Sequence, residues 1–154
     1  MISTDGGYAP AGCSTRTNGY ICGGGSGPGT NRIEKFSFST DGNSTDMADL
    51  TVAKVGPGGH SSDTHGYTSG GSPAPITNKI EKFSFSTEAN ATDIADLTVV
   101  KNYHGMHSST TNGYTSGGEP NTNVIDKFPF ASDANSTDVG DLPSNQQYTT
   151  GTEN

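Results

Sequence analysis

A polar segment that occurs three times carries the residue types best suited to hold a hard cation. It reads Asp41-x-Asn43-x-Thr45, Glu88-x-Asn90-x-Thr92 and Asp133-x-Asn135-x-Thr137. Oxygen ligands at alternate positions are how calcium-binding loops surround Ca²⁺. The glycine and the distal glutamate of an EF-hand loop are absent, and turns that satisfy their own backbone use the same residue types. The pattern leaves two interpretations open, a Ca²⁺ site in each copy or a plain polar turn.

The same segments contain Asn-x-Ser/Thr sequons at Asn43, Asn90 and Asn135. In a secreted eukaryotic protein these asparagines would be acceptors for glycosylation. Residues 1–7 have no basic region and no apolar run, so they do not read as a secretory signal. Whether the three asparagines are modified stays open.

Histidine and cysteine offer few candidates for chemistry. His104-x-x-His107 lacks an acidic third ligand at a useful spacing. A hairpin turn centred on Thr17-Asn18 would place Cys13 opposite Cys22 and allow a disulfide bond. A turn centred on Asn18-Gly19, the dipeptide favoured in type I′ turns, would move Cys22 opposite Thr15. The second turn is favoured, and the bridge stays open.

Composition and motifs argue against several classes of protein. The net charge of −8 and the pI near 4.7 disfavour nucleic-acid binding and anionic membrane surfaces. No apolar stretch approaches the roughly 18 residues of a membrane span. No catalytic triad, phosphate-binding loop or catalytic carboxylate pair is recognisable. We therefore predict a protein that is not an enzyme, with no cofactor unless the polar turns bind Ca²⁺.

An internal repeat dominates the chain. The motif Gly-Tyr-x-x-Gly-Gly begins at Gly19, Gly66 and Gly113, at intervals of 47 residues. A second motif repeats in step and begins with Ile33-Glu34-Lys35-Phe36, Ile80-Glu81-Lys82-Phe83 and Ile125-Asp126-Lys127-Phe128. A period of this size is typical of arrays in which each unit packs against its neighbours. We predict one repeat domain, 1–142, with units of about 8–54, 55–101 and 102–142, followed by a polar tail, 143–154.

One unit predicts four short antiparallel strands. In the second unit they are residues 59–63, 67–69, 78–86 and 94–100, with His65-Gly66 as the first turn. Alternation places Phe83 and Phe85 on one face of the third strand and Ile80 on the other. Four such strands are the blade of a β-propeller, so the predicted fold is all-β with three blades.

Twelve repeated positions are predicted to set the packing of the blades. The glycine pairs are expected to allow close approach and unusual dihedral angles, whereas the tyrosines pack between blades or stack on sugars. The positions are Gly23, Gly24, Gly70, Gly71, Gly117, Gly118, Tyr20, Tyr67, Tyr114, Phe36, Phe83 and Phe128.

These motifs resemble the kelch repeat. The resemblance covers about 10–142 and rests on a polar strand, Gly-Tyr-x-x-Gly-Gly, a strand ending in an aromatic residue and a strand with Asp-Leu. It departs from the kelch pattern in having no tryptophan. The near-identical units rich in Thr, Ser and Asn also resemble repeat proteins of bacteriophage and environmental virus particles. The resemblance implies a propeller-type structural protein located in a virion or outside the cell.

Three blades are fewer than the four to eight that close a propeller. We therefore expect self-association, as a six-blade ring of two chains or as a filament, or docking onto neighbouring particle proteins. A third option is that the chain is a piece of something longer. The alternative function is recognition of a glycan or receptor through the divergent loops 26–30, 72–77 and 119–122.

Overall fold

The computed structural model describes residues 9–72, 75–149 and 151. In this part of the chain every regular element is a β-strand, and the strands form three four-stranded antiparallel sheets, each ordered as in the chain. No helix long and apolar enough to cross a membrane occurs among these residues. The predicted all-β fold with three four-stranded blades is confirmed.

Each blade contains one repeat unit. Blade 1 is β1 (Ala11–Ser14), β2 (Asn18–Cys22), β3 (Thr30–Ser37) and β4 (Thr45–Lys54). Blade 2 is β5 (Gly58–Ser61), β6 (His65–Ser69), β7 (Lys79–Ser84) and β8 (Thr92–Asp96). Blade 3 is β9 (Gly105–Ser108), β10 (Asn112–Ser116), β11 (Thr122–Pro129) and β12 (Thr137–Gln146).

The first hairpin turn of each blade lies earlier than predicted. In blade 1 Ser14 pairs with Gly19, so the turn is residues 15–18 and not Asn18-Gly19 or Thr17-Asn18. Thr15 stabilises this turn, since its Oγ1 accepts hydrogen bonds from the N–H groups of Asn18 at 3.0 Å and Thr17 at 3.3 Å. Ser62 and Ser109 receive the equivalent bond at 3.0 Å in the other blades. A hydroxyl that caps its own turn replaces the glycine-dependent turn.

The glycine of each Gly-Tyr pair serves the neighbouring strand instead. Gly19 lies opposite Phe36, and a Cβ on Gly19 would be 2.3 Å from the Phe36 ring. Gly66 with Phe83 and Gly113 with Phe128 show the same 2.3 Å approach. The aromatic ring therefore covers the glycine across the strand pair, as in other sheets where an aromatic residue shields a glycine.

Both predicted cysteine registers are wrong because the turn lies elsewhere. Cys13 pairs with Tyr20 and Cys22 pairs with Ala11, so the two thiols are diagonal neighbours on one face. Both are free and buried. A hydrogen bond with Cys13, together with burial, holds the pKa of Cys22 well above its usual value. The Cys13 thiol also donates to the His60 carbonyl at 3.3 Å, which ties blade 1 to blade 2.

The glycine pairs that follow the second strand need positive φ, as predicted. The φ angles are 67° and 84° at Gly23 and Gly24, and 62° and 105° at Gly70 and Gly71. A Cβ on Gly23 would lie 2.8 Å from the Lys54 carbonyl oxygen, and the Gly24 N–H donates to that oxygen at 2.8 Å. The glycine pair therefore contacts the end of the fourth strand of its own blade, from which the chain continues into the next blade.

The first strands of the three blades lie side by side. A Cβ on Gly59 would be 2.2 Å from the Gly12 carbonyl oxygen, which leaves no room for a side chain. Rungs of hydrogen bonds link equivalent serines, from Ser14 N–H to Ser61 Oγ at 3.0 Å and from Ser61 N–H to Ser108 Oγ at 3.3 Å. The repeat therefore continues as a regular array across both junctions.

The C-terminal residues depart from the predicted polar tail. Strand β12 runs past Leu142 to Gln146. Beyond it, Tyr148 has a φ of 54°, close to the 66° of Gly56 and 48° of Tyr103 at the start of blades 2 and 3. A Cβ on Gly151 would lie 1.5 Å from the Met106 carbonyl oxygen, so Gly151 approaches β9 as Gly59 approaches β1. Tyr148 and Gly151 thus occupy the positions of the first residues of a unit.

Candidate interaction faces

Each blade has two faces of different composition. The front face carries the phenylalanines Phe36, Phe83 and Phe128 of the repeat, and the back face carries the tyrosines Tyr20, Tyr67 and Tyr114. The back face of blade 1 packs on the front face of blade 2 to form junction 1. The back face of blade 2 packs on the front face of blade 3 to form junction 2. The front face of blade 1 and the back face of blade 3 are the two end faces.

The apolar parts of both junctions contain the same aromatic stacking. Tyr20 stacks on Phe85 with ring centroids 4.7 Å apart, and Tyr67 stacks on Phe130 at the same distance. Phe83 and Phe128 are 2 % and 1 % exposed. Ile33 and Ile80 are fully buried behind them. The predicted tyrosine and phenylalanine positions therefore meet across the junctions, where such ring pairs add to the burial of apolar area.

A buried ion pair lies at the centre of junction 1. Lys54 Nζ pairs with Glu81, and both side chains are shielded from solvent. The second oxygen of Glu81 accepts hydrogen bonds from the N–H and hydroxyl of Thr51. Thr68 donates to the carboxylate from within blade 2, at 3.2 Å. A buried charge needs such partners, because removing one leaves the other uncompensated.

Junction 2 repeats the ion pair with equivalent residues. Lys101 Nζ is 3.0 Å from Asp126 Oδ2, and both side chains are fully buried. Thr98 and Ser136 donate to Asp126 Oδ1 at 2.5 and 3.2 Å. Lys101 also donates to Thr115 Oγ1 at 3.2 Å. We call each set of lysine, carboxylate and hydroxyl groups a clamp.

The polar turns between the third and fourth strands fasten the outer part of the junctions. Asn90 Oδ1 accepts the Asp49 N–H at 3.0 Å, and Asn135 Oδ1 accepts the Asp96 N–H at 3.0 Å. Beside them, Lys82 Nζ lies 2.5 Å from Asp133 Oδ1 across junction 2. Two of the three predicted turns therefore bind the preceding blade through their asparagines.

The cation site proposed for these turns gains no further ligands. No group of three or more His, Cys, Asp or Glu residues able to hold a metal occurs in the described ranges. The candidate ligands Thr45, Thr92 and Thr137 begin the fourth strands, and Asp41, Asn43 and Glu88 are exposed. Ca²⁺ binding by the turns stays a prediction.

A chain of buried polar groups distinguishes junction 2 at its inner edge. His60 Nδ1 is 3.3 Å from the His107 carbonyl oxygen, so it must donate, and Nε2 then accepts from Ser69 Oγ at 3.0 Å. Ser69 in turn accepts from His104 Nε2 at 3.0 Å. Burial lowers the pKa of His60 to about 4 and lowers the pKa of His104 well below its usual value. Both imidazoles are therefore neutral at pH 7.

The front end face exposes residues whose counterparts inside the array are buried or half-buried. Phe38 is 55 % exposed and Ile21 is 37 % exposed, and Phe36 is half-buried. Together with Gly12, Cys13 and Gly19 they line a shallow cavity of about 470 Å³ that reaches Met106 and Gly151. The cavity lining is mostly apolar, and Phe36, Phe38 and Ile21 lie at positions that the preceding blade covers in the internal junctions.

The back end face also exposes residues whose counterparts are buried in the internal junctions. Tyr114, Ile125 and Leu142 are half-buried, although their counterparts in blades 1 and 2 are almost completely buried. Val139, at the position of Met47, is 47 % exposed, compared with 9 % for Met47. The two end faces are thus the two halves of one junction.

The loops predicted to carry recognition lie away from the main groove. A groove of about 740 Å³ runs along the three first hairpins and is lined by hydroxyl groups together with Arg16 and Asp63. Loops 26–30 and 119–122 follow the second strands, at the opposite end of the sheets. Within the remaining loop, 72–77, residues 73 and 74 lie outside the described residues.

No protein-family model matches the chain, and no curated protein matches it. The resemblance to kelch repeats and to virus-particle proteins therefore stays a prediction that rests on the motifs alone.

The sequence reasoning missed the clamps. The signal was present, because Lys54 and Lys101 repeat at an interval of 47 residues and each lies four residues after the leucine of Asp-Leu. Lysine and glutamate are usually solvated, so the pattern gave no reason to place them in a core. Only the packing of one blade on the next brings Lys54 to Glu81.

Proposed function

We propose that this chain is a non-enzymatic structural repeat protein that joins copies of itself, back face to front face, in a larger assembly such as a virus particle or an extracellular fibre. One observation carries the proposal. The two end faces are partly exposed copies of faces that already pack against each other twice within the chain. An unpartnered apolar sheet face of this kind marks an interaction site.

The aromatic residues supply the first part of the fit. In an intermolecular junction Phe36 and Phe38 of one copy would take the places of Phe83 and Phe85, or of Phe128 and Phe130. Tyr114 of the other copy would take the place of Tyr20, which stacks on Phe85 at 4.7 Å. The contact would bury rings that are half-exposed or exposed in the single chain.

The rim residues supply the second part. Asn43 occupies the position of Asn90, and Asp141 occupies the position of Asp49, whose N–H binds Asn90 at 3.0 Å. Likewise Lys127 stands where Lys82 stands, and Asp41 of a second copy stands where Asp133 stands. The pattern thus provides one hydrogen bond and one ion pair at the rim of a contact between copies.

The C-terminal residues lie at the inner edge of the back end face. Thr149 Oγ1 donates to the Ser116 carbonyl at 2.9 Å, and Gly151 approaches β9. The strand β1 of an incoming copy would take this position, because β5 takes it against β1 in junction 1. Formation of the contact would therefore move Thr149 and Gly151 aside.

A measurement of mass in solution over a concentration series tests the proposal. We expect sedimentation velocity to show association that rises with concentration, towards a dimer for a six-blade ring or without limit for a filament. Phe38→Ser should weaken the association constant by roughly tenfold or more, since a large exposed side chain would no longer be buried. Val52→Ser removes an exposed apolar side chain of blade 1 away from the end face and serves as the matched control. A chain that stays monomeric at every concentration would overturn the proposal.

The hydroxyl-lined groove favours a second candidate, recognition of a glycan. Its opening spans three hairpins and places Arg16 and Asp63 among serine and threonine hydroxyls, which are groups that hydrogen-bond to sugars. A glycan array with the wild-type chain tests it. Binding that is lost in Arg16→Ala and kept in Phe38→Ser would separate recognition from self-association.

A further inference from the structure

The contact between copies would differ from both internal junctions at its centre. We infer that Glu34 limits the strength of this contact, because it would be buried against a second copy that brings no lysine to it. The inference rests on the proposed self-association, and it names the residue of the end faces that opposes that association.

Glu34 occupies the position of the clamp carboxylates. The third and fourth strands of every blade shift register directly after the repeated isoleucine. After that shift Glu34 pairs with Asp46, as Glu81 pairs with Asp93 and Asp126 pairs with Asp138. Glu34 therefore projects from the front end face as Glu81 and Asp126 project into the junctions.

Gln146 occupies the position of the clamp lysines. The carbonyl oxygens of Lys54 and Lys101 accept the N–H groups of Gly24 and Gly71 at 2.8 and 2.9 Å. The Gly118 N–H makes the same bond to the Gln146 carbonyl at 2.7 Å. The back end face consequently presents an uncharged amide where the internal back faces present an ammonium group.

The hydroxyl groups of the clamp are replaced as well. Thr51 and Thr98, each next to the repeated leucine, correspond to Pro143, which has neither a hydroxyl nor an N–H to donate. Thr68 and Thr115 correspond to Ile21 on the front end face. Thr68 donates to Glu81, whereas Thr115 accepts from Lys101. A contact between copies would thus lack the lysine and two of the hydroxyl groups that complete each internal clamp.

The groups around Glu34 do not replace the missing cation. Ser44 Oγ donates to Glu34 Oε2 at 2.8 Å within blade 1. Arg32, on the same strand, is engaged with Asp46 at 3.6 Å in an exposed pair, and Asp46 adds negative charge opposite Glu34. From a second copy, Gln146, Pro143, Leu142 and Tyr114 would face the carboxylate, and Lys127 would lie at the rim beside Asp41. Loss of water from an ionised carboxylate without a cation opposes association.

Two substitutions at pH 7.5 test the inference from opposite sides of the contact. Glu34→Gln removes the charge that would be buried, and Gln146→Lys supplies the ammonium group found in both internal junctions. In the full-length chain we expect each to raise the association constant by roughly tenfold or more in sedimentation velocity. The combination Glu34→Gln with Gln146→Lys should gain less than the sum, since the lysine would then have no carboxylate to meet.

Matched controls separate this effect from the change in net charge. Glu88→Gln makes the same chemical change in an exposed turn, and Asn145→Lys adds the same charge one residue earlier, at an exposed position of β12. Both should leave the association constant within about twofold of wild type, because surface changes away from a contact are nearly neutral.

The outcomes distinguish this inference from the proposed function. If the wild-type chain associates and neither Glu34→Gln nor Gln146→Lys exceeds its control, the inference is overturned while the proposed function stands. If the wild-type chain is monomeric but both variants associate, the inference holds and the wild-type function fails. If no variant associates, both are overturned.

Discussion

The internal junctions and the end faces are built from the same repeated positions, but only the internal junctions contain a buried ion pair. Inside the array, a clamp of lysine and carboxylate crosses each junction between stacked aromatic rings. At the end faces the aromatic residues and the rim asparagine remain, whereas the lysine and two hydroxyl groups of the clamp are absent. The comparison indicates that apolar patterning is common to all faces of the blades, and that the clamp distinguishes the internal junctions from the end faces.

The two internal junctions also differ from each other at their inner edges. Junction 1 has the free thiols of Cys13 and Cys22, and junction 2 has His60, Ser69 and His104 at or next to the equivalent positions. The Cys22 thiol, whose pKa is raised, stays neutral over the physiological range, but the buried imidazoles must remain unprotonated. The inner edge of junction 2 should therefore be more sensitive to acid than the inner edge of junction 1.

The largest expected effect is the loss of an internal phenylalanine. Phe83→Ala should lower the free energy of unfolding by about 3–5 kcal/mol, because it leaves a cavity in a junction where the ring is 2 % exposed. Phe36→Ala changes the equivalent ring at the open face and should cost less than about 1 kcal/mol in the monomer. Urea denaturation at a concentration below that of association measures both. Equal losses would show that the front end face is not open in the way described.

A second, smaller effect sharpens the comparison between the two junctions. The folded pKa of His60, about 4, lies below the value of about 6.5 expected when unfolded, so its contribution to stability is present above pH 6.5 and is lost as the pH falls towards 4. Between pH 7.5 and 5 the loss should be about 2 kcal/mol. Urea midpoints at the two pH values measure it, and His60→Gln should reduce the dependence to the part that His104 contributes.

A control for the pH effect is available in the same blade. His65 lies in the outer hairpin and bonds to Thr64 at 2.8 Å, so His65→Gln should keep most of the wild-type pH dependence. A wild-type chain equally stable at pH 5 and pH 7.5 would contradict the assignment of a buried neutral His60.

The smallest effect concerns the asparagines that hydrogen-bond to the preceding blade, Asn90 and Asn135. Asn90→Ala and Asn135→Ala should each cost about 1 kcal/mol, the typical contribution of a hydrogen bond across a junction. Asn43→Ala should have almost no effect on the monomer but should weaken association. Thermal melts at low concentration and sedimentation at high concentration make the two measurements. A loss at Asn43 as large as that at Asn90 would mean that the first turn has a role of its own.

Much of the array was predictable because its signals are local. Alternation along the third strand places Phe83 and Phe85 on one face, and the structure packs both into junction 1. The glycine pairs were expected to need unusual dihedral angles, and their positive φ confirms it. The turn at Asn18-Gly19 was wrong, because the local preference for a type I′ turn competed with the cap from Thr15 and with the Phe36 ring across the strands.

The sequence by itself determined the period of the array, the four strands of each unit and the face on which each aromatic residue lies, since these follow from spacing along a single strand. The tertiary structure alone decided that Lys54 meets Glu81, that Asn90 binds the preceding blade and that Gln146 stands where a lysine would be expected. Those contacts join residues tens of positions apart. They depend on which face of one blade meets the next, and a pattern within one strand contains no information about that choice.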